Sequence, residues 1–105
     1  MIRATFLNRN GALCGFDIQG HAGQAEQGRD IVCAAVSSAA YLTANSLSEV
    51  CGCQITAKEQ EGHLRVSVVS GDETAVRIVL QGQRLHLEGL CAQYPQYIQL
   101  QQTEV

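Results

Sequence analysis

Residues 30–50 read DIVCAAVSSAAYLTANSLSEV, and this stretch fixes the first helix of the chain. Val32, Val36, Ala39, Ala40, Thr43 and Leu47 recur at helical spacing, which predicts a helix from Asp30 to about Val50. Asp30 is suited to the N-cap, and Gly52 is a stop signal. Alanine and serine crowd the middle of the segment, so its buried face can approach a sheet closely. Immediately before it, residues 20–28 read GHAGQAEQG, without apolar periodicity, which predicts a loop. Further back, residues 2–8 and Leu13 to Ile18 read as strands joined at Asn10-Gly11, a strong hairpin signal. In the second of these, Leu13, Gly15 and Asp17 face opposite to Cys14, Phe16 and Ile18.

Beyond the helix, Cys53 to Glu59 and His63 to Val69 form another hairpin around Glu61-Gly62. Ser70-Gly71-Asp72-Glu73 has the form of a capping box. It opens a second helix, from about Asp72 to Gln93, with Val76, Val79, Leu80, Leu87 and Leu90 on one face. Gly82 and Gly89 each weaken that helix by roughly 1 kcal/mol relative to alanine. Pro95 ends it, and Tyr97 to Gln101 reads as a last strand. The order β-β-α-β-β-α-β, with no linker or repeat, predicts one α+β domain over residues 1–105. Its two helices should pack on a mainly antiparallel sheet.

Bulk properties narrow the function classes. The seven basic residues are scattered singly against ten acidic ones, for a net charge of -3. That pattern disfavours direct nucleic-acid binding, which needs a concentrated positive field. No apolar run approaches the roughly 20 residues that cross a bilayer, so no membrane association is expected. Met1-Ile2-Arg3 leads directly into alternating residues rather than a signal sequence, which makes the cytoplasm the expected address. There the five cysteines (Cys14, Cys33, Cys51, Cys53 and Cys91) should stay reduced. Cys14 and Cys91 sit among apolar neighbours and read as fillers. Cys51-Gly52-Cys53 lacks the second ligand pair of a structural zinc site, so no metal and no cofactor is expected. His63 and His86 read as surface or hairpin histidines.

Cys33 stands apart. With Asp30 as cap it would be the third helical residue, where unpaired N–H groups favour a thiolate and can hold an oxyanion. His21, twelve residues earlier on the glycine loop, can supply the base of a Cys–His pair. Gly20 and Gly23 flank it and allow the loop to hinge.

The stretch Gly20-His21-Ala22-Gly23 through Glu26, Gly28 and Asp30-Ile31-Val32-Cys33-Ala34-Ala35-Val36-Ser37 resembles the signature of the ribosomal-processing cysteine proteases. These are small bacterial peptidases that trim a ribosomal protein. The resemblance implies a catalytic dyad of Cys33 as nucleophile and His21 as general base and acid. Asp30 and Ser37 become supporting residues, and Gly20, Ala22, Gly23 and Gly28 become part of a substrate loop that moves on peptide binding. It implies as substrate the N-terminal extension of large-subunit ribosomal protein number twenty-seven, and a homodimer. Gln24 stands where relatives are expected to carry an aromatic residue. Asp30 is open to two roles, orienting His21 or only capping the helix, and Ser37 to site lining or helix packing. A non-catalytic dimeric adaptor that binds peptide or the ribosome, and a redox or metal-handling protein using Cys51 and Cys53, are the rival readings.

Overall fold

The computed structural model describes residues 1–20 and 27–105, with side chains from residue 31 onward in the second stretch. Strands β1 (Ile2–Arg9) and β2 (Ala12–Gln19) form an antiparallel hairpin. Asn10 (φ 54°) and Gly11 (φ 79°) make its turn, the left-handed pair that matches strand twist. Helix α1 (Gln27–Asn45) runs into a single π-helical turn, Ser46–Val50. The second hairpin is β3 (Gln54–Gln60) and β4 (His63–Ser70), followed by α2 (Glu73–Gln93) and β5 (Ile98–Glu104). The strands lie in the order β3-β4-β2-β1-β5, and all neighbours are antiparallel except β1 and β5. The expected element order and the mainly antiparallel sheet are therefore present in one compact domain.

Period-two alternation sends one set of side chains toward the helices. Ile2, Ala4 and Phe6 of β1, Phe16 and Ile18 of β2, Val66 and Val68 of β4 and Ile98 of β5 meet Val32, Val36 and Leu47 from the α1 side and Val76, Leu80 and Leu87 of α2. On the other face of the sheet, Asp17 is buried beneath Gln19, His63 and Arg65.

Several boundaries differ from expectation. α1 begins at Gln27, so Asp30 is its fourth residue rather than its cap, and Cys33 its seventh rather than its third. Gln and Arg are good helix formers, and one early glycine costs only about 1 kcal/mol, so a helix secured by Val32 and Val36 extends backwards over 27–29. Gly28 consequently lies in the helix and is no loop hinge. α2 is capped by Asp72, whose Oδ2 accepts from the Ala75 N–H at 2.9 Å, while Ser70 ends β4 and takes no part in a capping box. The β1–β2 register steps between Leu7 and Asn8, leaving Cys14 as the extra residue of β2, and the phase of alternation changes there. Leu13 therefore packs against the main core cluster, whereas Cys14 is buried outside it, as a filler was expected to be. β5 runs on to Glu104 because it pairs with β1 along nearly its whole length, through Asn8.

Ile31–Val50 is long and apolar enough to cross a membrane by length and composition alone, contrary to expectation. Its serines and threonine are spread among small apolar residues, which conceals the run on inspection. Here one face of that helix, from Val32 to Leu47, is used against the sheet.

Candidate active site

Cys33, Ser37 and Tyr41 follow one another at intervals of four residues and so form a stripe along α1. The stripe faces the end of the β3–β4 hairpin. Between them lies a hollow of about 260 Å3, with Ile18, Ala40 and Leu64 as apolar lining and Glu59 and His63 on the hairpin side. Cys33 is half-buried: it packs against the core and still opens into this space. Ser37 is exposed and lines the same hollow.

Gly20 closes β2 at the edge of the hollow with φ 87°, and its N–H donates to the Gly62 carbonyl at 2.9 Å. A Cβ there would lie 2.3 Å from the Met1 carbonyl oxygen, so only glycine suits both the backbone angle and the space. This pins the start of the segment that carries His21 beside the hairpin turn. His21, Ala22 and Gly23 themselves lie outside the described residues, as does the side chain of Asp30.

The expected help from the helix end is altered by the earlier start of α1. Cys33 is in the second turn, where its N–H is committed to the Arg29 carbonyl four residues back. The field of a helix terminus is strongest within the first turn. Free N–H groups of that turn are therefore not adjacent to Cys33 along the chain.

Three lining residues, Tyr41, Glu59 and His63, were not assigned to the site from sequence, where His63 read as a surface or hairpin histidine. Tyr41 donates its hydroxyl to the Glu59 carboxylate, tying α1 to β3. His63 Nε2 donates to Asp17 Oδ2 at 2.9 Å, and Arg65 donates to the same oxygen at 3.0 Å. Burial alone would raise the Asp17 carboxyl, but the hydrogen bonds from His63, Gln19 and Arg65 outweigh it and hold its pKa below the ordinary value. Tyr41 was within reach of sequence reasoning, because it continues the four-residue spacing of Cys33 and Ser37. Glu59 and His63 required the register of a hairpin packed against a helix.

The other cysteines are placed differently. Cys14 is buried beside a groove of about 1170 Å3 between the β1–β2 hairpin and α2, and desolvation pushes its thiol pKa up. Arg9, Arg77 and Arg84, single in the sequence, gather round that groove together with Glu73 and Glu104. The Cys91 thiol donates to the Ile98 carbonyl at 3.3 Å. Cys53 is buried and Cys51 half-buried, on either side of Gly52 (φ 68°). Among the described residues no three His, Cys, Asp or Glu side chains converge as metal ligands would.

The model of the cysteine protease Prp family matches residues 1–99. The chain belongs to that family. It is accordingly a cysteine peptidase, and the family's fold recurs in solved structures. SMU.848 from Streptococcus mutans is 25% identical, with a TM-score of 0.88, over 100% of this chain and 99% of that one. The ribosomal processing protease Prp of Staphylococcus aureus, with a covalently linked product peptide, is 24% identical with a TM-score of 0.85. The same protease with a substrate peptide gives 23% and 0.88, and each comparison covers 98% of this chain and 100% of the other. No curated protein matches the chain.

Proposed function

We propose that this peptidase removes the N-terminal extension of large-subunit ribosomal protein number twenty-seven, in the cytoplasm, using Cys33 as nucleophile and His21 as base and acid. The observation that carries the reading is a half-buried thiol opening into a hollow wide enough for a peptide segment, next to the point where the His21 segment leaves β2. The Staphylococcus aureus structures, of a ribosomal processing protease with substrate and product peptides, give the substrate class its support.

In this mechanism His21 takes the Cys33 proton, and the thiolate attacks the scissile carbonyl to form a tetrahedral intermediate. That intermediate collapses as His21 protonates the leaving amine, which departs with the C-terminal part of the substrate. Water, deprotonated by His21, then cleaves the thioester and restores the thiol. Ser37, one turn from Cys33 and exposed to the hollow, is placed to donate to bound substrate. Asp30 supports the site from the helix that carries Cys33.

We include the homodimer in this reading. A groove of about 540 Å3 between α1 and α2 is lined by Leu42 and Ile78, which are 69% and 63% exposed. Beneath them lies Gln83, 4% exposed, whose amide atoms have no hydrogen-bond partner among the described residues. A second copy laid on this face would cover the apolar residues and supply partners for the amide. Sedimentation should then give twice the 11.3 kDa of the chain.

The deciding experiment offers a peptide spanning the processing junction of the ribosomal protein. Cleavage by the wild type, lost in both Cys33→Ala and His21→Ala, is the expected result. Cleavage that survives Cys33→Ala would end the proposal.

A further inference from the structure

We infer that Glu59, held by Tyr41, forms a subsite for a positively charged group of the substrate, three or four residues from the bond that is cut. The inference rests on Cys33 being the nucleophile and adds a determinant of specificity to that reading.

Glu59 is an exposed acid near the end of the edge strand β3. In β3 it shares a face with Ile55 and Ala57, and in register it opposes Leu64, whose side chain packs against the core beneath the helices. An apolar side chain at position 59 would continue that face. The carboxylate is instead turned to the hollow, where one oxygen accepts from the Tyr41 hydroxyl. Among the described residues its other oxygen has no partner, and no lysine or arginine lines the hollow. His63, the other titratable side chain on the hairpin side, is engaged with Asp17 through Nε2. The carboxylate is thus fixed in direction by one hydrogen bond and left with an acceptor free. An exposed bond between Tyr41 and Glu59 adds little to stability, and a neutral pair could supply as much.

The spacing follows from the helix. Tyr41 lies eight residues after Cys33, and at 1.5 Å per residue the two are about 12 Å apart along α1. An extended peptide advances about 3.3 Å per residue, so a chain lying along the stripe with its scissile carbonyl at Cys33 brings its third or fourth neighbour to Glu59. The group recognised there is an ammonium or guanidinium. It is either a lysine or arginine side chain or the free amino terminus of the peptide, since all are donor-only cations suited to a carboxylate.

The test uses the full chain and junction peptides in which lysine is exchanged for norleucine at each position from the fourth before to the fourth after the scissile bond. Each peptide is made with a free and with an acetylated terminus. For the wild type, kcat/KM should favour lysine over norleucine about tenfold at one position three or four residues away, or favour the free terminus by as much. Glu59→Gln should bring that ratio to about one, and Glu59→Lys should invert it in favour of norleucine, or of the acetylated terminus, at the same position. A wild-type ratio near one at every position, or the same ratio in Glu59→Gln as in the wild type, overturns the inference while leaving the peptidase reading intact. Failure of the wild type to cut any of these peptides would strike the proposed substrate instead.

Discussion

Two cysteines border concavities in this small domain, and the larger concavity belongs to the more deeply buried one. Cys14 lies at the β1–β2 end, beside a groove of about 1170 Å3, yet it is only 8% exposed and burial raises its thiol pKa. Cys33 lies at the β3–β4 end, in a hollow of about 260 Å3, half-buried on a helix with its solvent side open. Size alone would choose the Cys14 end, against the proposed function. A nucleophile needs a thiolate and access to a carbonyl, and the environment of Cys14 supplies neither. The comparison also shows how differently the two positions are built. Cys14 sits where a step in strand register turns a side chain away from its expected face, whereas Cys33 is carried by the regular repeat of a long helix.

The sharpest way to break this comparison is to remove each sulfur in turn. Cys33→Ala should lower kcat/KM on the junction peptide by more than about a thousandfold, as loss of a nucleophile does. Cys14→Ala should leave cleavage close to the wild type and appear instead as lost stability. Equal losses of activity would mean that the two ends are not distinct in function. A milder test compares alkylation of the folded protein by iodoacetamide near neutral pH, followed by peptide mapping. Cys33 should be modified at least about tenfold faster than Cys14, because the attacking species is the thiolate and burial disfavours it at Cys14. Comparable rates would favour an adaptor that binds peptide without cutting it.

Much of this contrast could be read before any coordinates. The repeat from Val32 to Leu47 specifies which face of α1 is buried, and the same repeat leaves Cys33 at the margin of that face. Asn10-Gly11 and Gly62 place both hairpins, since few other residues tolerate those backbone angles. The start of α1 was less legible. Capping preference pointed to Asp30, but tertiary packing of Val32 and Val36 lets weaker helix formers before them join the helix, which moves Cys33 out of the first turn. The π turn at Ser46–Val50 has no sequence signal beyond Gly52. Glu59, His63 and Asp17 could not be assigned from one strand at a time. Their roles depend on which residues face each other across β2, β3 and β4.

The next test concerns the Cys33 end alone. Asp17 anchors His63, which borders the hollow, and Arg65, and hydrogen bonds hold its carboxyl below the ordinary range despite burial. A carboxylate with a depressed folded pKa stabilises the fold fully above its unfolded pKa of about 3.9. That contribution disappears as pH falls through the lower folded value. Asp17→Asn should therefore cost about 2 kcal/mol at pH 6, read from the midpoint of urea unfolding. The gap between variant and wild type should narrow below about pH 4. A gap that stays constant down to pH 2 would show that the charge on Asp17 does not matter.

The smallest effect belongs to the Cys14 end. Asp72 caps α2, and the first turn of that helix, with Glu73, Val76 and Arg77, forms one wall of the larger groove. Asp72→Ala leaves the Ala75 N–H without its partner and should cost about 1 kcal/mol. For a domain of this length that corresponds to a fall in Tm of roughly 4–8 °C. Well below the melting range, kcat/KM on the junction peptide should stay within about twofold of the wild type, because α2 contributes no residue to the Cys33 hollow. A large loss of activity at low temperature would instead show that the two ends are coupled through the core, with Leu80 and Leu87 transmitting a shift of α2 to α1.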